Sequence, residues 1–206
     1  MKKTFGIFVV LVASMFVFPT WGIAGISPDK LVEETVQEVI DIIKEDEAIK
    51  SGDKEKMLDL VETKIIPHFD FTRMTRLAMG KNWRNASEEQ QSVLVKEFRT
   101  LLVRTYSNTL TSYSEETISV TPIPNIGDAT ESTVRTQVIQ GQGKQPVPID
   151  YNMEKQASGW KVFDVTVAGV SLVTNYRSSF DSQIRRGGVD GLIKTLTSKN
   201  DSLEGH

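Results

Sequence analysis

No cysteine occurs anywhere in the chain. That absence excludes disulfides, a thiolate metal site and a lipid anchor on an N-terminal cysteine. His68 and His206 are the only histidines, so no metal-ligand spacing exists either. A cationic excess is missing too. Against 24 Lys and Arg stand 27 Asp and Glu, a net charge of −3, which argues against nucleic acid, because such a partner needs a positive footprint. After one apolar run near the start no second run of that length follows, so no membrane-spanning helix is expected in the body of the chain.

That single run reads as an export signal. Met1-Lys2-Lys3 is a short positive segment, Phe5 to Phe18 is almost uninterruptedly apolar, and Gly22-Ile23-Ala24 offers the small residues a signal peptidase reads. Cleavage is expected after Ala24, giving a free protein outside the cytoplasm. Residues 25–200 are then expected to form one domain and residues 201–206 a polar tail.

Helices are expected first. Ser27-Pro28 is a cap with proline at the first helical position, and Val32, Val36, Val39, Ile40 and Ile43 recur at helical spacing, predicting a helix from Pro28 to Ala48. Ser51-Gly52-Asp53 breaks it. Met57, Leu58, Val61 and Ile65 mark a shorter helix ending near Pro67, and a further one is expected over Asp70 to Met79. Ser87 and Gln90 make a capping box for a helix of about 24 residues, with Leu94, Phe98, Leu101, Leu102, Thr105 and Leu110 in one stripe.

Beyond Tyr113 the period shortens. Thr117 to Pro122, Ser132 to Gln140, Val147 to Glu154 and Trp160 to Ala168 alternate and are separated by turn residues, which predicts an antiparallel meander. Helical spacing returns with Val170, Val173, Phe180 and Ile184. After Gly187-Gly188 a last amphipathic piece holds Val189, Leu192, Ile193 and Leu196. The expected fold is α+β: N- and C-terminal helices on one face of a curved antiparallel sheet of about four strands. Strict alternation puts Val147, Ile149, Tyr151 and Met153 on the apolar side of the third strand, and Phe163, Val165 and Val167 on that of the fourth. On periodicity alone these side chains read as an ordinary packed core.

Two stretches carry a family resemblance. Asp164-Val165-Thr166-Val167-Ala168-Gly169-Val170-Ser171-Leu172-Val173-Thr174-Asn175-Tyr176 is continued by Phe180 and Arg185-Arg186-Gly187-Gly188-Val189-Asp190-Gly191-Leu192. The earlier block runs from His68-Phe69-Asp70-Phe71 through Leu77, Gly80 and Trp83. Together they resemble the signature of the MlaC family, also called toluene-tolerance or ABC-transporter auxiliary proteins.

The resemblance implies a periplasmic phospholipid carrier that helps maintain outer-membrane lipid asymmetry. It would enclose acyl chains in an apolar pocket and have no cofactor and no covalent chemistry. Its implied partners are an inner-membrane ABC transporter complex with a substrate-binding hexamer and an outer-membrane lipoprotein associated with porins. On this reading the pocket wall comprises Tyr151, Met153, Phe163, Val165 and Val167 from strands, with Met74, Leu77, Leu102, Tyr106, Leu110, Val170, Val173 and Tyr176 from helices.

Two other readings stay open: a cone-shaped hydrolase or isomerase, which would need a carboxylate or histidine of perturbed pKa in the pocket, and an adaptor with a filled core. His68 with Asp70 has the look of a base and its orienting acid, yet the only other histidine is the terminal His206 and no metal-ligand spacing exists, so His68 reads as structural. Asp164 is the best candidate for a buried acid, although alternation turns it away from the apolar face. Gly169-Val170-Ser171 lacks the second glycine of a nucleophile elbow, and its serine reads as a helix cap. Gly141-Gln142-Gly143 falls at a hairpin with no helix after it, so it cannot cradle a phosphate. Asp41, Glu45, Asp46 and Glu47 read as a solvated face, and Arg185-Arg186 as a cationic helix end before glycine.

Overall fold

The computed structural model describes residues 25–110, 116–140 and 143–204. The expected export segment, the Gly141-Gln142 turn and the end of the expected tail lie outside the described residues. Among those described, no helix is long and apolar enough to cross a membrane.

Helix α1 (Pro28–Glu45) starts with Ser27 as extended N-cap and Pro28 in the first turn. Its first-turn acid, Asp29, is buried, and its Oδ2 accepts from the Ile123 N–H at 3.1 Å, tying the helix to the loop after the first strand. Burial alone would raise that carboxyl; bonds from the Ser27 hydroxyl and the Ile123 N–H outweigh it and hold the pKa below the usual value.

The helix stops sooner than its apolar pattern predicts. Asp46 turns extended there, because its side chain accepts from the N–H groups of Ala48 (2.8 Å) and Ile49 (3.2 Å) and starts α2 (Glu47–Lys50) instead. Asp53 then caps α3 (Lys54–Leu60). The chain widens into a π turn (Val61–Ile65), tightens into a 3-10 turn (Ile66–His68) at Pro67, and enters α4 (Phe71–Met79) under an Asp70 cap. After a 3-10 segment (Gly80–Asn85) comes α5 (Glu88–Leu110), where the expected capping box forms: Gln90 N–H donates to Ser87 Oγ at 3.2 Å and Ser87 N–H to Gln90 Oε1 at 3.0 Å. Thr105, counted in the α5 stripe, is exposed.

Five strands follow: β1 (Thr117–Val120), β2 (Glu131–Ile139), β3 (Val147–Gln156), β4 (Gly159–Val167) and β5 (Val170–Ser171). They pair antiparallel in chain order, an open meander. The fifth strand exceeds expectation. Ala168 and Gly169 both take positive φ (49° and 83°), which makes a two-residue hairpin and returns Val170 beside Val167.

A register shift between β3 and β4 matters more. Asn152 pairs with Asp164, but Met153 pairs with Val162, so Phe163 is left without a partner in a bulge. One extra residue reverses the alternation, and Val162 and Val165 share the inner face.

The last helix, α6 (Leu172–Glu204), includes Gly188 at φ 68° and ψ −171°, a region open in practice to glycine alone. The chain reverses there. In the first half, Phe98 of α5 meets Tyr176 and Phe180 at centroid distances of 4.9 and 5.1 Å. In the second half, Gln90 bonds Asp190, Glu97 bonds Asn200 and Arg104 pairs with Glu204. The second half thus runs parallel to α5, and helix continues to Glu204 where a polar tail was expected.

Among the described residues, three apolar clusters hold the fold. One joins α4, α5 and α6 round Phe98, Phe180 and Leu192; one joins the end of α1 to α2, α3 and the π turn round Ile43, Met57 and Val61; the third sets Val32 of α1 on Val134, Met153 and Trp160 of the sheet.

Candidate functional site

Between α1 and the inner sheet face lies a cavity of about 300 Å³, at the low end of the roughly 300–1,000 Å³ typical of ligand pockets. Its sheet wall is Ile118, Val138, Ile149, Tyr151, Met153, Val162, Val165 and Val167. Facing it, α1 contributes Leu31, Val32, Thr35, Val36, Val39, Ile40 and Ile43. The π and 3-10 turns add Val61, Ile65, Ile66 and His68, α4 adds Phe71 and Met74, and α5 adds Leu102, Val103, Tyr106, Ser107 and Leu110. Among the described residues, no Asp, Glu, Lys or Arg lines the space.

Its few polar groups are mostly spent. Ser107 Oγ donates to the Val103 carbonyl of its own helix at 2.5 Å. Tyr106 is 40% exposed at the end of α5, with its hydroxyl near that of Tyr176. Burial first, and that neighbour second, push Tyr176 up to about 12.

His68 is held below the ordinary imidazole range, chiefly by burial and then by Lys161, so it is neutral at pH 7. The carboxylate beside it in sequence does not orient it. Asp70 Oδ1 accepts from the Arg73 N–H (2.8 Å) and Oδ2 from Gln156 Nε2 (2.7 Å).

Of the thirteen wall residues expected from sequence and resemblance, Met74, Leu102, Tyr106, Leu110, Tyr151, Met153, Val165 and Val167 border the cavity. Five do not. Leu77, Val173 and Tyr176 pack into the α4–α5–α6 cluster, because the apolar stripe of α6 is covered by α5. Val170 is 57% exposed on the short β5 edge. The bulge turns Phe163 outward, where the Arg73 guanidinium lies 3.6 Å from its ring centroid and pairs with Glu131 and Glu154.

Asp164 also lies off the cavity. Its Oδ2 accepts from Ser171 Oγ (2.6 Å) and its Oδ1 from the Val173 N–H (3.1 Å), while Ser171 Oγ accepts from the Thr174 N–H (3.0 Å). The expected serine cap is present, and the suspected acid supports it. Arg185 pairs with Asp181 and Arg186 is exposed.

The α1 residues are the largest group absent from the expected wall. Their stripe was visible at helical spacing. What spacing alone does not show is which of several amphipathic helices covers the sheet.

The fold and this space define a class: an α+β protein whose helices close an apolar chamber over one face of an open antiparallel sheet. A family model described as "MlaC protein" matches residues 33–198. The chain belongs to the MlaC family. It is 25% identical, over 95% of its length and 92% of the relative's, to the intermembrane phospholipid transport system binding protein MlaC of Haemophilus influenzae. Toluene tolerance protein ttg2D of Pseudomonas putida is 26% identical over 93% of this chain and 86% of that one. Among solved structures, the phospholipid-binding protein from Ralstonia solanacearum, in complex with a phospholipid, superposes with a TM-score of 0.79 at 36% identity, covering 87% of this chain and 99% of that one.

Proposed function

We propose that this protein is a soluble periplasmic phospholipid carrier, exported by its N-terminal segment, that performs no covalent chemistry and uses no cofactor. The observation that carries the reading is the apolar chamber between α1, α5 and the sheet, in a chain whose fold superposes on a Ralstonia protein solved in complex with a phospholipid. The physics requires such a chamber. An acyl chain loses about 0.8 kcal/mol per methylene exposed to water, so ten exposed methylenes cost roughly 8 kcal/mol and confine a phospholipid to its bilayer. A wall of Val, Ile, Leu, Met and Phe removes that cost, and the head group stays near solvent.

Met74, Leu102, Tyr106, Leu110, Tyr151, Met153, Val165 and Val167 act as wall residues together with the α1 stripe. The cargo passes between an outer-membrane lipoprotein–porin complex and an inner-membrane ABC transporter with its substrate-binding hexamer, and outer-membrane lipid asymmetry is thereby maintained.

Native mass spectrometry of the purified protein, followed by denaturation and lipid extraction, tests this. Near-stoichiometric phospholipid is expected, and Val36→Trp, which fills the chamber from α1, is expected to lose most of it while staying folded. A lipid-free protein that also takes up none from vesicles overturns the reading.

A further inference from the structure

The cations of this chain are unevenly placed. Residues 71–85 hold Arg73, Arg76, Lys81 and Arg84 and no acid, although the whole chain is net negative. Arg73 is consumed by Phe163, Glu131 and Glu154. Arg76, Lys81 and Arg84 are exposed and, among the described residues, no carboxylate lies within ion-pair reach of them. Arg177 of α6 joins them: its exposed guanidinium donates to the Leu77 carbonyl at the end of α4 (2.9 and 2.6 Å). The nearby acid, Asp181, is already engaged by Asn82 and Arg185. Four lysines of the N-terminal helices and π turn are matched, with Lys30 on Glu33, Lys50 on Glu47, Lys56 on Asp46 and Lys64 on Glu38. Exposed cations without an ion pair among the described residues also stand elsewhere, Lys44, Lys96 and Lys194 for example, so what marks residues 71–85 is four cations with no acid between them.

We propose that this positive face, formed by the end of α4, the 3-10 segment after it and the start of α6, seats the protein on the surface of an anionic phospholipid bilayer. The proposal rests on the carrier reading and names where the carrier meets its membrane. Four unmatched cations spread over three elements, with no buried polar pocket among them, suit a diffuse layer of negative charge better than a single point ligand.

Position supports the same partner. Helix α4 gives Met74 to the chamber and carries Arg76 two residues on; α6 gives Leu172 and carries Arg177 five residues on. Five residues of helix rise about 7.5 Å, so these cations lie within one or two turns of residues that line the chamber. The net acid of residues 28–65 lies on other elements, so an anionic surface selects one orientation. Each cation near such a surface strengthens partitioning only about five-fold, which keeps the contact reversible.

Co-sedimentation of the full chain with phosphatidylglycerol and with phosphatidylcholine vesicles, at low and at physiological salt, tests it. Binding is expected to the anionic vesicles only and to weaken as salt rises. Neutralising Arg76, Lys81 and Arg84 together to Gln is expected to weaken it about 100-fold, whereas Glu34→Gln with Glu45→Gln leaves it undiminished. Arg177 is left in place because it also caps α4. The lipid content of each purified variant is measured alongside; unchanged content with lost vesicle binding isolates the surface from the chamber. Equal binding to both vesicle types, or full binding by the triple variant, overturns the proposal. So does a triple variant impaired only in the presence of membrane proteins, which assigns the face to an acidic protein partner instead.

Discussion

Asp164 holds the start of α6 with both carboxylate oxygens, one on the Ser171 hydroxyl and one on the Val173 N–H. A side chain that satisfies an otherwise unpaired N–H at a helix start is worth about 1–2 kcal/mol, so Asp164→Ala is expected to lower stability by that amount in urea unfolding. Its lipid content is expected to be unchanged, since the carboxylate lies off the chamber. A variant that kept full stability but lost its lipid would contradict this assignment. The neighbouring residue marks the limit of alternation as a guide. Tyr151 and Met153 face inward as a period of two requires, and so do Val165 and Val167, yet Phe163 does not. A bulge adds one residue to one strand for reasons that lie in its neighbours, here Arg73 packing over the ring, and hydropathy along the chain carries no trace of it.

At the scale of elements, the clearest single point is Gly188. Its backbone (φ 68°, ψ −171°) reverses the chain, so that the helix after it runs parallel to α5, back against the direction of the helix before it. A Cβ at this position meets open space, so the obstacle is the backbone conformation and not packing. Gly188→Ala is expected to cost about 1–3 kcal/mol in thermal or urea unfolding. Gly187→Ala, one residue earlier in helical backbone, is expected to be neutral or stabilising by about 0.5–1 kcal/mol. Equal effects at the two positions would refute the account. The Gly187-Gly188 pair is a legible break, and the helices on both sides of it have legible stripes. The direction taken after the break is not legible, because it is set by Arg104, Glu97 and Gln90 reaching residues about a hundred positions away. The same reason explains why Val173 and Tyr176, apolar and well spaced, serve the helical core and not the chamber.

For the whole molecule, a chamber that binds cargo only when folded links cargo to stability. Ligand at a hundred times its dissociation constant adds about 2.7 kcal/mol, which for a chain of this size raises Tm by roughly 5–10 °C. Delipidated protein is expected to melt that much lower by calorimetry and to recover when phospholipid is restored; an unchanged Tm would mean that nothing specific occupies the chamber.

The two sides of that chamber come from distant parts of the chain. Helix α1 is anchored through Asp29 to Ile123, and the first half of its apolar stripe, round Val32 and Val36, is covered by strands that begin at Thr117. The ribosome makes α1 first, and at about 5–20 residues per second the strands that shelter it emerge roughly 5–20 s later. During that interval the nascent chain displays an amphipathic helix with a bare greasy side, a substrate for any chaperone that meets it. The segment that later encloses a lipid is therefore itself a part of the newborn protein in need of an escort.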